Sequence, residues 1–452
     1  MNLRHRLSAL SVALLAAACL ANPVQAAVSA AEADTLKTTL TPLGAERSGN
    51  ADGSIPAWTG GLVQAGGGDG KRSDPFASEK PLLTITAQNM AQYADKLSEG
   101  TKAMLKKYPD SYKLDVYATH RTAAAPQAVY DATYANATGA KLTEGSAGAM
   151  PENAQGGIPF PIPKAGVEVM WNHLLRWRGA SWHANFTQYL TTADGKHVLT
   201  NDSRADMQMP WYLPDGGKKD GTFWSIRMVN DGPPLRAGEA ITGRENINAD
   251  NAGVWTYLPG QRRVRRLPNA CCDTPTPATA GVMSFDELYV FNGRLDRFDW
   301  KLVGKKELYI PYNANKVFTA ANPTDLLGEH HLNPSALRWE LHRVWVVEAT
   351  LKAGKRHVMP RSTYYVDEDT WAAVLGERYD AQNQLAKALW TTPVVLPDLP
   401  GVVTLTNGFY DLLSGAWFTG DIFAGKSEQY RVVNAYKDSV FTPDALAGEG
   451  VR

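Results

Sequence analysis

Arg262-Arg263-Val264-Arg265-Arg266 puts four guanidinium groups into five positions. Such density suits phosphate or lipid-headgroup oxygens, because each planar fork can donate two parallel hydrogen bonds. The same run also reads as an exposed edge strand whose charges pair with carboxylates and discourage aggregation. Asp286 and Glu287 follow within Phe285-Asp286-Glu287-Leu288; near the arginine-rich run, they are expected to form ion pairs across neighbouring strands, not to work as acid and base. His330 and His331, with Glu329 beside them and His342 further on, are the residues best suited by type to a metal. Adjacent histidines on an extended chain point to opposite faces, so no metal site is assigned and no cofactor is expected. Cys271 and Cys272 are adjacent. In an oxidising compartment they form a vicinal disulfide, bridge to another chain or stay free, and the flanking prolines favour a local loop feature. No Gly-x-Ser-x-Gly, His-Glu-x-x-His or dinucleotide glycine fingerprint is present, so no catalytic residue is assigned and no enzyme is expected.

Aromatic residues are the other chemical resource. Thirteen tryptophans stand in the chain, and core packing accounts for most of them. A curved sheet can also turn an aromatic face toward a greasy ligand, for which large apolar walls and few polar groups suffice. Trp224, Trp255, Tyr257, Trp300, Trp339 and Trp345 are the candidates for such a cavity, with Arg262, Arg263, Arg265 and Arg266 at its mouth as headgroup or partner contacts.

The elements that must position these groups are mostly strands. Val254 to Leu258 and Arg262 to Leu267 flank Pro259-Gly260-Gln261, a hairpin in which Val254, Thr256 and Leu258 share one face and Trp255 and Tyr257 the other. Phe186–Thr192 and Lys196–Thr200 flank Ala193-Asp194-Gly195, a second hairpin. Further strands are predicted at Phe223–Val229, Ala240–Thr242, Trp300–Tyr312, Leu337–Val347, Arg361–Val366, Trp371–Asp380, Phe409–Trp417 and Gln429–Tyr436. Met90, Tyr93, Leu97, Met104 and Tyr108 keep helical spacing and predict one helix over residues 84–108, stopped by Pro109. A short helix is expected over Val167–Trp177. The glycine run Gly66-Gly67-Gly68-Asp69-Gly70-Lys71 fails as a phosphate loop, since Arg72 stands where Ser or Thr is required; it reads as a solvent loop.

Residues 1–26 read as a signal peptide: Arg4 and Arg6, an apolar stretch from Leu7 to Leu20, and Val24-Gln25-Ala26 before the cut. Cys19 offers a lipid-anchored alternative, but Ala16-Ala17-Ala18 lacks the bulky residue that acylation signals place three positions before the cysteine. Removing two basic residues leaves 44 basic against 46 acidic, a net −2, which argues against nucleic-acid binding. Residues 27–164 are expected to be irregular and helical and to wrap the sheet, with residues 165–452 forming the β domain; the rigid Gly156–Pro163 passage is the internal boundary.

Gly156-Gly157-Ile158-Pro159-Phe160-Pro161, Gly260 to Arg266 and Trp300 to Tyr312 together resemble the periplasmic carriers built like the lipoprotein chaperones LolA and LolB. They are closer still to a family of unknown function labelled outer-membrane lipoprotein-sorting-like. The resemblance implies an α+β fold, mainly antiparallel, with a large curved sheet forming an incomplete barrel capped by helices. It also implies a periplasmic carrier or acceptor of a lipid, lipoprotein or other hydrophobic molecule. The partners it implies are a resistance-nodulation-division (RND) type transporter and an outer-membrane protein. A non-catalytic scaffold docking such a transporter, and an envelope lipid or glycan hydrolase, are the competing readings.

Overall fold

Alternation of apolar and polar residues over so many short runs makes strands the main regular element of the chain, and the order in which they pair fixes where the interior lies. The computed structural model describes residues 27–64, 72–214 and 220–449. The leader with Cys19 and the glycine run before Arg72 lie outside these residues. In chain order the strands are β1 (Leu83–Ile85), β2 (Leu114–Val116), β3 (Lys141–Gly145), β4 (Gly148–Glu152), β5 (Ser181–Thr191), β6 (His197–Gln208), β7 (Thr222–Gly232), β8 (Ala240–Asn246) and β9 (Gly253–Leu258). They continue as β10 (Arg263–Arg266), β11 (Phe298–Pro311), β12 (Trp339–Leu351), β13 (Arg361–Asp367), β14 (Ala373–Tyr379), β15 (Leu385–Leu396), β16 (Gly401–Asp411), β17 (Trp417–Ile422) and β18 (Tyr430–Val432).

All but β3 and β4 join one sheet of 16 described strands. Its main ladder runs β11 to β17 and then continues through β5 to β10, antiparallel at every step. Among the described residues, the one parallel contact joins β12 to β2 at Trp339 and Val116. β18 lies along the start of β5. The sheet is not closed into a barrel, and helices are few.

This order has a topological consequence. β10 and β11 are consecutive in the chain yet stand at opposite ends of the main ladder. Residues 267–297 must therefore cross the sheet from one end to the other. They do so over its inner side: Met283, Phe285, Tyr289, Val290, Phe291 and Leu295 are buried in the main core. Tyr289 and Val290 both take positive φ, 51° and 72°, where the segment bends. Val290 touches the backbone position of Gly376 so closely that a Cβ there would meet its Cγ1 at 2.8 Å. A glycine in β14 is what lets the crossing segment lie down. The helix Gly166–Leu174 fills the same interior, with its backbone at Gly166 against Trp300 and its His173 Nε2 2.8 Å from the Phe291 carbonyl oxygen.

The other side of β13 to β17 is covered by residues from before position 126. Tyr112 packs edge-on against Tyr410 at 6.2 Å, the Trp371 indole donates to the Leu43 carbonyl at 2.7 Å, and Glu377 accepts from the Gly100 amide at 2.9 Å. With both faces covered, β14 and β17 are buried at every position.

Several local expectations need correction. Residues 84–108 do not form one helix. They contain the end of β1, a tight 3-10 turn over Met90–Lys96 and a separate α-helix, Glu99–Lys107. Ser98 breaks the run: its backbone is extended (φ −69°, ψ 159°) and its hydroxyl accepts from the Thr101 amide at 3.1 Å, which caps a new helix. The stretch Phe409–Trp417 is the end of β16, a turn and the first residue of β17, and β18 is shorter than the predicted Gln429–Tyr436.

Candidate functional site

The β9–β10 hairpin forms as the Pro-Gly signal predicts, with Arg263 opposite Leu258 and Arg266 opposite Trp255. Its left-handed residue is Arg262 (φ 49°), not the glycine. Alternation along β9 then decides which side chains can reach an interior space. Val254 faces inward and lines a small apolar cavity of about 40 Å³ with Trp224, Ile226, Met228 and Ile241 from the sheet and Phe285 and Leu288 from the crossing segment. Trp255 and Tyr257 alternate to the opposite face, where they pack with Val229, Ala240, Val264 and Leu446 of the C-terminal helix Pro443–Glu449. Neither of these two aromatics lines this cavity.

The other aromatic candidates are also dispersed. Trp300 leans on Phe291 (5.3 Å) and Tyr364 (5.8 Å) and donates to the Leu295 carbonyl. Trp345 stacks on Trp371 with the Lys305 ammonium 4.7 Å from its ring centre. Trp339 is buried in the core beside the β2 junction. Of the six, only Trp224 lines either cavity described here. Much of the space inside the sheet is taken by the crossing segment and the helix Gly166–Leu174.

Beside the apolar cavity opens a larger cleft of about 370 Å³, and Glu245, Phe285 and Asn292 form part of the wall of both. Arg266, Arg294, Arg297 and Lys355 line the cleft, opposed by Asp250 and Asp296. Arg294 spends its charge on both aspartates, at 2.8 and 2.9 Å. Arg266 and Arg297 have no carboxylate partner among the described residues; they donate to the carbonyls of Ala252 and Arg356, and the Arg266 guanidinium lies 5.7 Å from the Trp255 ring centre. Of the four arginines singled out from sequence, Arg266 alone lines the cleft. Arg262, Arg263 and Arg265 are exposed. Cys271 and Cys272 are joined as a vicinal disulfide, with Cys271 in the cleft wall and Cys272 buried at φ 64°.

Behind the shared wall sits a buried cation that the sequence reading passed over. The Arg178 guanidinium lies 5.1 Å from the Trp224 ring centre and 5.8 Å from that of Tyr289, an arrangement that offers π-electron density in place of a carboxylate. Burial lowers its pKa, and its Nε has no hydrogen-bond partner. Burial likewise pushes the Glu245 carboxyl up to about 7, against the opposing pull of the Asn292 hydrogen bond and the Arg178 charge. Arg176-Trp177-Arg178 directly after an apolar helix was the available signal: two charges in a segment that must enter the core. Asp421, raised to about 6 by burial, accepts from the Tyr289 hydroxyl at 3.0 Å and anchors the crossing segment to β17.

Asp286 and Glu287 do make ion pairs, though not with the arginine-rich strand. Asp286 lies 2.8 Å from His357 Nε2 and 3.4 Å from Arg378, and Glu287 meets Lys387 at 2.7 Å. The partners come from beyond β12 because the crossing segment carries both carboxylates across the sheet. His330 stacks on Tyr108 and His331 meets the ring of Tyr112 edge-on. His342 sits apart from them in β12, beside Glu340, Asp367 and Asp369.

With this geometry in view, comparison with known proteins places the chain. An uncharacterised protein of Pseudomonas aeruginosa, PA3922, is 42% identical over 452 residues, covering 98% of each chain. Among solved structures, a DUF1329 family protein from Desulfovibrio piger is similar at a TM-score of 0.40 and 16% identity, over 59% of this chain and 92% of its own. A putative outer membrane lipoprotein-sorting protein domain from Vibrio parahaemolyticus is similar at 0.43 and 14%, over 62% of this chain and 98% of its own. Residues 84–447, which include all three segments that carried the resemblance in sequence, match the family described as a protein of unknown function, DUF1329, and the chain belongs to that family.

Proposed function

We propose that the protein is a periplasmic carrier or acceptor of an amphipathic molecule with an acidic headgroup, not an enzyme. The observation that carries this reading is the pair of adjoining spaces, one apolar and one whose wall includes Arg266 and Arg297, which have no carboxylate partner among the described residues, with Glu245, Phe285 and Asn292 in the wall of both. A carboxylate or phosphate would sit against Arg266 and Arg297, where charge-assisted hydrogen bonds outweigh those to neutral carbonyls. Its apolar part would enter between Trp224 and Leu288, each buried methylene contributing about 0.8 kcal/mol.

The apolar space of about 40 Å³ admits only a carbon or two, so a longer chain has to displace Phe285 and Leu288. Both belong to the crossing segment, which is tied to the sheet by side-chain contacts and not by strand pairing. Movement of that segment is the step that loads the carrier. The sequence resemblance supports a place beside an RND-type envelope transporter and an outer-membrane protein. No helix among the described residues is long and apolar enough to cross a membrane. The filled interior, with Tyr289, Val290 and Phe291 where a cargo would lie, favours the second reading, a scaffold that docks such a transporter without carrying anything.

Native mass spectrometry with lipid extraction, on protein purified from periplasm, separates the two. A copurified amphiphile, together with uptake of a fluorescent fatty acid that falls at least tenfold in Ile241→Trp and Arg266→Glu, is the expected result. A clean apo mass and no probe uptake by the wild type sinks the carrier reading and leaves the scaffold.

A further inference from the structure

The cluster around His342 stands apart from the two cavities and plays no part in the reading above. Tyr312, His342, Asp367 and Asp369 are all nearly devoid of solvent exposure, at 0, 1, 0 and 3%. One ligand atom from each of His342, Asp367 and Asp369 lies within 4.8 Å of the others. His342 Nδ1 is 3.9 Å from a carboxylate oxygen of each aspartate, too long for a hydrogen bond. Its Nε2, by contrast, lies 3.1 Å from Glu340.

Two polar atoms here have nothing to bond to. Asp367 Oδ1 and the Tyr312 hydroxyl are buried without a hydrogen-bond partner. The Tyr312 ring is stacked on the His342 ring with centres 3.9 Å apart. That stack sets Tyr312 directly against the imidazole that faces both aspartates. The neighbouring charges are otherwise matched: Asp369 takes two hydrogen bonds from Arg121, at 2.7 and 2.9 Å, and Glu340 is paired with Arg338 at 2.5 Å. Asp367 accepts from Thr370 through its other oxygen but has no arginine or lysine partner among the described residues.

We infer that His342, Asp367 and Asp369 bind one divalent first-row transition ion, with Tyr312 beside it. An imidazole with two carboxylates suits zinc or manganese. Glu340 then orients the ring through Nε2, the carboxylate–histidine–metal arrangement that fixes which nitrogen faces the ion. Arg121 does the same for Asp369. Bonds of about 2.1 Å at a tetrahedral angle need ligand atoms roughly 3.4 Å apart, so the 3.9 Å separations close by about half an ångström. One cation would satisfy Asp367 Oδ1, balance its charge and give the phenol oxygen something to face. Because the cluster is buried under residues of both β12 and the β13–β14 turn, the ion enters during folding.

The test is metal content after controlled refolding. The mature protein is unfolded in guanidinium with a chelator and refolded with no metal, Zn²⁺, Mn²⁺ or Co²⁺. Elemental analysis of the desalted product is expected to give close to one equivalent, with a raised Tm and, for Co²⁺, visible bands that signal nitrogen and oxygen ligands. Asp367→Asn and His342→Asn should fall below about a tenth of an equivalent. Should the histidine variant not fold, Asp367→Asn and Tyr312→Phe carry the comparison, since each replaces a group by a near-isostere. The inference is overturned by wild-type protein that refolds without any of the three ions bound. It is equally overturned by Asp367→Asn that retains a full equivalent.

Discussion

Asp286 sits on the crossing segment between Arg378 and His357, with Arg378 entirely enclosed. Burial alone would raise its carboxyl, yet the Arg378 charge and the His357 contact hold it well below the usual carboxylate range. A carboxylate depressed in this way contributes stability that is present above its ordinary pKa of 3.8 and lost as the pH falls below it. Asp286→Ala should cost about 3–5 kcal/mol in urea unfolding at pH 7, because Arg378 is left buried and unpaired. Glu245 has the opposite sign. Its carboxyl, raised to about 7 by burial, stabilises the fold most below its ordinary pKa of 4.5, and that contribution is lost as the pH rises through about 7. Glu245→Gln should therefore match the wild type below about pH 4 and exceed it by about 3 kcal/mol at pH 8.5, read as the difference between two thermal melts. An unchanged pH profile would mean that the cleft wall hydrates this carboxyl. None of these pairings was legible in sequence. A carboxylate and its partner seventy or more positions away, such as Asp286 and His357, carry no local signal; only the path of the crossing segment brings them together.

Ser98 determines what happens at the next scale. Apolar spacing from Met90 to Tyr108 is helical, so periodicity alone predicts one helix; the serine that caps Glu99–Lys107 interrupts it while leaving the phase nearly intact. Ser98→Ala should cost about 1 kcal/mol, measured by urea unfolding, because the Thr101 amide loses its acceptor in a buried position. A neutral substitution would mean that packing of Met104 and Leu105, and not the cap, holds the helix. Strands were easier to read because their signals are short-range: Pro259-Gly260 in the β9–β10 turn and Asp194-Gly195 in the β5–β6 turn both mark real hairpins. The two faces of β9 were also legible from alternation. Which of them faces the interior was not, since that depends on the C-terminal helix reaching back to place Leu446 under Trp255 and Tyr257.

At the scale of the molecule, the ladder begins with β11 and ends with β10, and sequence order hides this. Hairpins such as β5–β6 and β9–β10 could be predicted separately, and so could a large antiparallel sheet, but β15 went unread and the junction of β17 with β5 is a long-range pairing with no sequence mark. The same is true of the layer outside β13 to β17. Residues 27–164 give the sheet β1 and β2 and bury Ile85, Met104, Leu105, Leu114 and Val116 against it, within one continuous hydrophobic cluster that also holds the crossing segment. At roughly 1.5–3 kcal/mol for each large apolar side chain taken out of water, those five residues contribute on the order of 10 kcal/mol, comparable with the whole stability of a typical domain. Arg121 adds its two bonds to Asp369 from the same region. A chain containing only residues 165–449 is therefore expected to aggregate or to stay without fixed packing, with no near-ultraviolet dichroism from its tryptophans and no cooperative urea transition. Restoring residues 27–164 as a separate chain should recover both signals, since the contacts that join the two parts, which are side-chain burial, the β2–β12 contact, ion pairs such as Arg338 with Glu79 and many hydrogen bonds, need no covalent link. Cooperative unfolding by the shorter chain alone would show that the sheet stands without its outer layer, and that residues 165–449 are a domain in their own right.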